Sequence, residues 1–159
     1  MRNHRAAFAL TAAVLTGFAG TAAAADSQNL NLTANVLEVC KFQGAAKTVT
    51  FGDLNPSTTT SETAGTLSAG VAYKCTKGTA ISTITVGDGN NYGDGSRRLS
   101  NGTDYIKYSL AVTAPTAGDG FGAASNDKTM VVDAKIQLAD YQDVPAGTYT
   151  DTVQLDITP

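Results

Sequence analysis

The 159-residue chain has no tryptophan, two cysteines, four prolines and a single histidine, His4. His4 lies in a stretch read below as a removable leader, so the mature protein is expected to carry no imidazole. That excludes a Ser-His-Asp or Cys-His catalytic arrangement. Two cysteines without a histidine also fall short of the four ligands of a structural zinc site. Charge runs are missing as well: eleven Lys and Arg against fourteen Asp and Glu are dispersed along the chain. Nothing therefore offers a basic footprint for nucleic acid or anionic lipid. The fourteen carboxylates are scattered over turns and strand-like positions, with no pair indicated across a cleft. The chain is read as a non-enzyme, with no catalytic, cofactor-binding or metal-binding residue. Helical periodicity is lacking too, which argues against an α-helical core.

What is present begins with an export signal. Arg2, His4 and Arg5 form a positive start, Ala6 to Phe18 an apolar centre, and Ala23-Ala24-Ala25 a small-residue cleavage site. Residues 1–25 are thus expected to be a signal peptide, cut before Asp26. The apolar centre is too short to span a bilayer, and no other apolar run approaches 18 residues, so no membrane insertion is expected. Two basic residues leave with the leader. Nine basic against fourteen acidic residues give the mature chain of 134 residues a net charge of −5. That length suffices for one domain with its own core.

Cys40 and Cys75 both lie in the exported part. In an oxidising compartment an even pair reads as one disulfide, against the alternative of two free thiols. The bridge would close a loop of about 36 residues, contributing roughly 4 kcal/mol in the chain-entropy picture.

Short stretches rich in Val, Ile, Thr and Tyr alternate with Gly, Asn, Asp, Ser and Pro clusters, which is the pattern of strands and turns. Strands are expected near 29–40, 47–52, 66–75, 80–87, 104–113, 129–138 and 148–157. Their number and spacing point to an antiparallel immunoglobulin-like β-sandwich. Ile106, Tyr108, Leu110 and Val112 alternate with Lys107, Ser109 and Ala111, and Tyr149, Val153, Leu155 and Ile157 alternate with polar residues. Period 2 sends the two sets to opposite faces. Asp151 falls on the apolar side of the last strand. It is expected either to pair with Arg97 or Arg98, since a buried carboxylate needs a partner, or to turn to solvent at a bulge.

Two local patterns are weaker. Asp88 to Gly95 partly matches a calcium loop, but Tyr92 and Leu99 occupy two ligand positions, so it reads as a tight turn. Asn31-Leu-Thr33 and Asn101-Gly-Thr103 match the glycosylation acceptor pattern. Asn101-Gly102 reads better as a hairpin turn.

Taken in order, these residues resemble the spore coat protein U-like domain shared by subunits of archaic chaperone–usher pili. The likeness rests on Cys40 after the N-terminal alternating segment and on Val71-Ala-Tyr-Lys-Cys75-Thr. It continues through Gly95-Ser-Arg-Arg98-Leu-Ser-Asn-Gly-Thr-Asp-Tyr-Ile-Lys-Tyr108-Ser-Leu and Phe121-Gly122, and closes with Val144-Pro-Ala-Gly-Thr-Tyr149-Thr-Asp151-Thr-Val153. It covers essentially 29–157. Phe121 stands where many relatives have tryptophan, and the chain ends in Ile-Thr-Pro159, a residue that cannot donate to a ladder.

The resemblance implies a structural pilus subunit, serving adhesion and biofilm formation as a cell-surface fibre. Its implied partners are identical or related subunits, a periplasmic chaperone and an outer-membrane usher. The implied fold is an incomplete immunoglobulin-like sandwich, residues 38–159, whose missing strand comes from the extension at 26–37 of another subunit. On that reading Leu30, Leu32, Ala34 and Val36 form the donor face, with Asn29, Asn31, Thr33 and Asn35 outward. Tyr149, Val153, Leu155 and Ile157 of the last strand would flank the acceptor groove. After Val36 the apolar parity shifts to Leu37 and Val39, which marks the end of the donor. The alternatives are that 30–36 is the first strand of a self-contained sandwich, and that the protein is a monomeric exported β-sandwich binding a ligand such as a carbohydrate.

Overall fold

The computed structural model of the protein describes residues 25–58, 61–67, 70–114 and 116–159. The expected leader, Ala25 apart, lies outside the described residues. Contacts divide the chain into two units, Met1–Ala34 and Asn35–Pro159. In the first, residues 25–34 are exposed and carry no regular secondary structure.

In the second unit the strands are β1 (Cys40–Gln43), β2 (Val49–Thr50), β3 (Glu62–Ala64), β4 (Thr66–Leu67), β5 (Val71–Cys75), β6 (Thr83–Val86), β7 (Arg97–Ser100), β8 (Tyr105–Thr113), β9 (Lys128–Gln137) and β10 (Leu155–Thr158). One turn of 3-10 helix, Leu138–Asp140, follows β9. All pairings are antiparallel. One sheet runs β1-β5-β9-β8-β7, with β3 also on β9, while β10 pairs with β6 and β2 with β4. The described fold is all-β and consistent with the expected immunoglobulin-like sandwich.

The long strands follow from their period. Along β8, Ile106, Tyr108, Leu110 and Val112 point inward and every alternate residue is exposed. Along β9, Met130, Val132, Ala134 and Ile136 also point inward, so each strand gives one apolar face to the interior. Cys40 and Cys75 lie opposite each other in the β1–β5 ladder and are disulfide-bonded.

Three expectations change. The stretch 29–40 is strand only at Cys40, because alternation alone does not make a strand without a ladder neighbour. The stretch 66–75 contains two strands, β4 and β5, with different partners. β3 and β7 lie outside every expected segment, since neither Glu62-Thr-Ala64 nor Arg97-Arg-Leu-Ser100 shows apolar alternation.

The interior is packed at two ends. Tyr73, Cys75 and Met130 form one fully buried cluster, joined by Cys40, Ile84, Val112 and Ile157 among others. Ile106, Ile136 and Tyr141 form the second, joined by Phe51, Leu99 and Tyr149. Between these ends Tyr108, Leu110 and Val132 are only half-buried.

Candidate functional site: an open apolar groove

That half-buried middle is the floor of a groove of about 620 Å3. One wall is the segment from Phe42 to Val49, with Phe51 beyond it. The other is Asp151, Thr152, Val153 and Leu155, and the floor includes Leu99, Tyr108, Leu110, Val112, Val132 and Ala134. Protein interiors normally pack without voids of such size.

Both walls present open strand edges. Among the described residues β10 pairs only with β6, and β2 only with β4. Toward β6, Gly87 donates to the Gln154 carbonyl, Asn90 to that of Thr152 and Ser82 to that of Thr158. Thr150 exchanges both bonds with Ser100. These partners are all even-numbered. Of the expected strand 148–157 only Leu155–Thr158 extends as strand, with Thr150 an isolated bridge to Ser100. Since backbone groups alternate sides along a strand, the N–H and C=O of Leu155 and Ile157 point to the opposite edge. No strand among the described residues pairs with that edge. It carries a row of donors and acceptors beside exposed apolar floor, the combination that templates strand addition.

The four last-strand residues expected at the groove divide between wall and ends. Val153 and Leu155 line it. Ile157 packs into the cluster around the disulfide. Tyr149 packs into the opposite cluster and donates its hydroxyl to the Pro145 carbonyl at 2.8 Å. A second hollow of about 600 Å3 continues past Tyr149, sharing Val49, Phe51, Leu99 and Asp151 with the first. Leu30, Leu32 and Val36 of the expected donor face are about four-fifths exposed, at 82%, 83% and 79%, and Ala34 is exposed as well.

Asp151 shows how the wall is held, and it corrects the expected basic partner. Tyr108 donates its hydroxyl to Asp151 Oδ2 at 2.6 Å. The Asn91 backbone N–H and side-chain amide both donate to Oδ1 at 3.2 Å. A Cβ on Gly89 would collide with Asp151 Oδ2, and Gly89 sits at φ +87°, so glycine is needed there twice over. Neither arginine reaches the carboxylate. Arg97 donates to the Val86 and Gly87 carbonyls, each at 2.8 Å. Arg98 donates to the Asn91 carbonyl and pairs with Asp94, while stacking on Tyr105. Three neutral donors replaced the expected cation. Burial, then the hydrogen bond to Asp151, push the Tyr108 phenol well above its ordinary range. The Asp88–Gly95 turn thus braces the last strand through Asn91. Two inward polar residues, Tyr108 on β8 and Asp151 on the apolar side of the last strand, were the available signal for this pair.

The groove lies beside the last strand and over the middle of the β8–β9 face. The Spore Coat Protein U domain family matches residues 26–156. The chain is 32% identical over 167 residues to Protein U of Myxococcus xanthus, with 92% of each chain covered. No solved structure matches it. The chain belongs to the Spore Coat Protein U domain family, which is associated with coat- and pilus-type surface proteins.

Proposed function

We propose that this protein is a structural subunit of a surface fibre that assembles by donor-strand complementation. The segment Leu30–Val36 of one subunit fills the open groove of the next. Export passes through the periplasm with a chaperone and an outer-membrane usher, and the finished fibre serves adhesion and biofilm formation. The observation that carries the reading is the half-buried floor between two closed clusters, flanked by an unpaired edge.

The fit is dimensional and chemical. Four alternate donor residues span six steps, about 20 Å at 3.3 Å per residue. The groove-side positions 151 to 157 span the same six steps. Leu30, Leu32 and Val36 gain about 1.5–3 kcal/mol each on full burial, and added ladder bonds fix register.

A synthetic peptide, Ser27 to Leu37, added to subunit lacking residues 26–36 tests this. At a hundred times its dissociation constant the peptide adds about 2.7 kcal/mol to stability. For a domain of this size that is a rise in melting temperature of roughly 10 °C. A Leu32→Asp peptide places an unpaired carboxylate in the groove and is expected to give no rise. An Asn31→Asp peptide carries the same charge on the outer face and is expected to act like the parent. A sharp, peptide-independent transition, or failure of the Asn31→Asp peptide alone, refutes the reading.

A further inference from the structure

The donor segment has to be joined to the body of its own subunit, and one hydroxyl sits at that joint. Thr76, directly after β5, donates its hydroxyl to the Leu37 carbonyl at 3.0 Å and accepts the Val39 N–H at 3.1 Å. Its own N–H donates to the Val39 carbonyl at 2.9 Å. One residue further, Cys40 is bonded to Cys75 and the β1–β5 ladder begins. Leu37 is 68% exposed, so its side chain does little to hold the segment. The backbone bonds to Thr76 do.

We infer that Thr76 is a positioning residue that removes the free linker between donor strand and body, making the joint between consecutive subunits stiff. This rests on the donor-strand reading above. The donor parity ends at Val36 and the pinned segment begins at Leu37, so no unfixed residue lies between them. Were Leu37 to Val39 free, three residues would let donor and body swing over about 10 Å. The disulfide by itself fixes only Cys40. Thr76 carries the restraint three residues further, and a fibre built of such joints bends by deforming hydrogen-bonded strand instead of rotating loose dihedrals. Other residues at position 76 could keep the backbone bond to Val39, but only Ser or Thr offers a compact hydroxyl that both donates and accepts.

The test uses the full mature chain with two variants, Thr76→Val, which keeps the shape but loses the hydroxyl, and Thr76→Ser, which keeps the hydroxyl. Hydrogen exchange at the Val39 amide is measured on subunit held monomeric by the Ser27–Leu37 peptide, and bending persistence length on fibres by electron microscopy. Thr76→Val is expected to speed Val39 exchange about 5-fold or more, as befits one lost net hydrogen bond, and to shorten the persistence length about twofold or more. Thr76→Ser is expected to match the parent in both. Unchanged exchange, unchanged stiffness, or a Thr76→Ser variant as loose as Thr76→Val overturns the inference while leaving the donor-strand reading intact. A peptide that fails to bind the parent subunit overturns both. If Thr76→Val forms no fibres, exchange at Val39 decides in the same two directions.

Discussion

Replacing Tyr108 by phenylalanine removes one oxygen and leaves the Asp151 carboxylate short of its 2.6 Å donor. Hydrogen bonds to charged groups contribute about 1.5–3 kcal/mol. Tyr108 and Asp151 are both half-buried at the groove, so water recovers part of the loss, and about 1–2 kcal/mol is expected. In a domain of this size that lowers the melting temperature by roughly 3–10 °C. With the groove filled by peptide, water can no longer substitute, and the cost moves to the upper end of the range. A double-mutant cycle with Asp151→Asn separates the pair from its surroundings, since each residue has other contacts. Thermal unfolding of the four proteins, with and without peptide, reads the coupling directly. A coupling energy indistinguishable from zero, or a Tyr108→Phe change within the ~0.5 kcal/mol of an ordinary surface substitution, refutes the claim that this bond holds the groove wall.

The same pair predicts a pH response. The Tyr108 phenol titrates above its ordinary value of 10.0 in the fold, so its contribution is complete below pH 10 and is lost as pH rises beyond that. Tyr108→Phe is expected to flatten this alkaline decline, and identical alkaline melting curves for parent and variant would contradict it. Cys75→Ser breaks the bridge at a fully buried position and is expected to cost about 2–5 kcal/mol. Export yield should fall sharply, and unchanged yield and melting temperature would count against the bridge as a main support.

The sequence was most legible where period 2 was strong. β8 and the odd positions from Tyr149 to Ile157 take the expected faces because alternate residues carry the polarity of the interior they cover, and β9 lies where a strand is expected. β7 was not legible. Arg97 points inward opposite Tyr108 in the ladder, and only the chain's folding brings the Val86 and Gly87 carbonyls to its guanidinium. The wall from Gln43 to Lys47 was equally obscure, since Gln-Gly-Ala-Ala-Lys has no apolar rhythm. Its role comes from passing opposite Val153 and Leu155, which are more than a hundred residues away. The partners of Asp151 follow from phase rather than charge: Tyr108 faces the same interior from β8, and Asn91 reaches it from the neighbouring turn.

The order of pairing also dictates when this fold can close. β7, β8 and β9 neighbour one another along the chain, and the Cys40–Cys75 pair is available once the first half has been made. β6 differs: its partner β10 is the last strand in chain order, with Thr83 waiting for Thr158. A chain that crosses into its compartment N-terminus first presents β6 well before β10, so β6 has no ladder partner until Leu155–Thr158 arrive, whereas the β1-β5-β9-β8-β7 sheet draws on strands that end at Gln137. Until then Ile84 and Val86 lie in an apolar segment without a ladder neighbour, the kind of edge that other chains can pair with. Closure of the two-stranded β6–β10 sheet therefore comes last in chain order, and it sets the groove wall at Val153 and Leu155 only at that point.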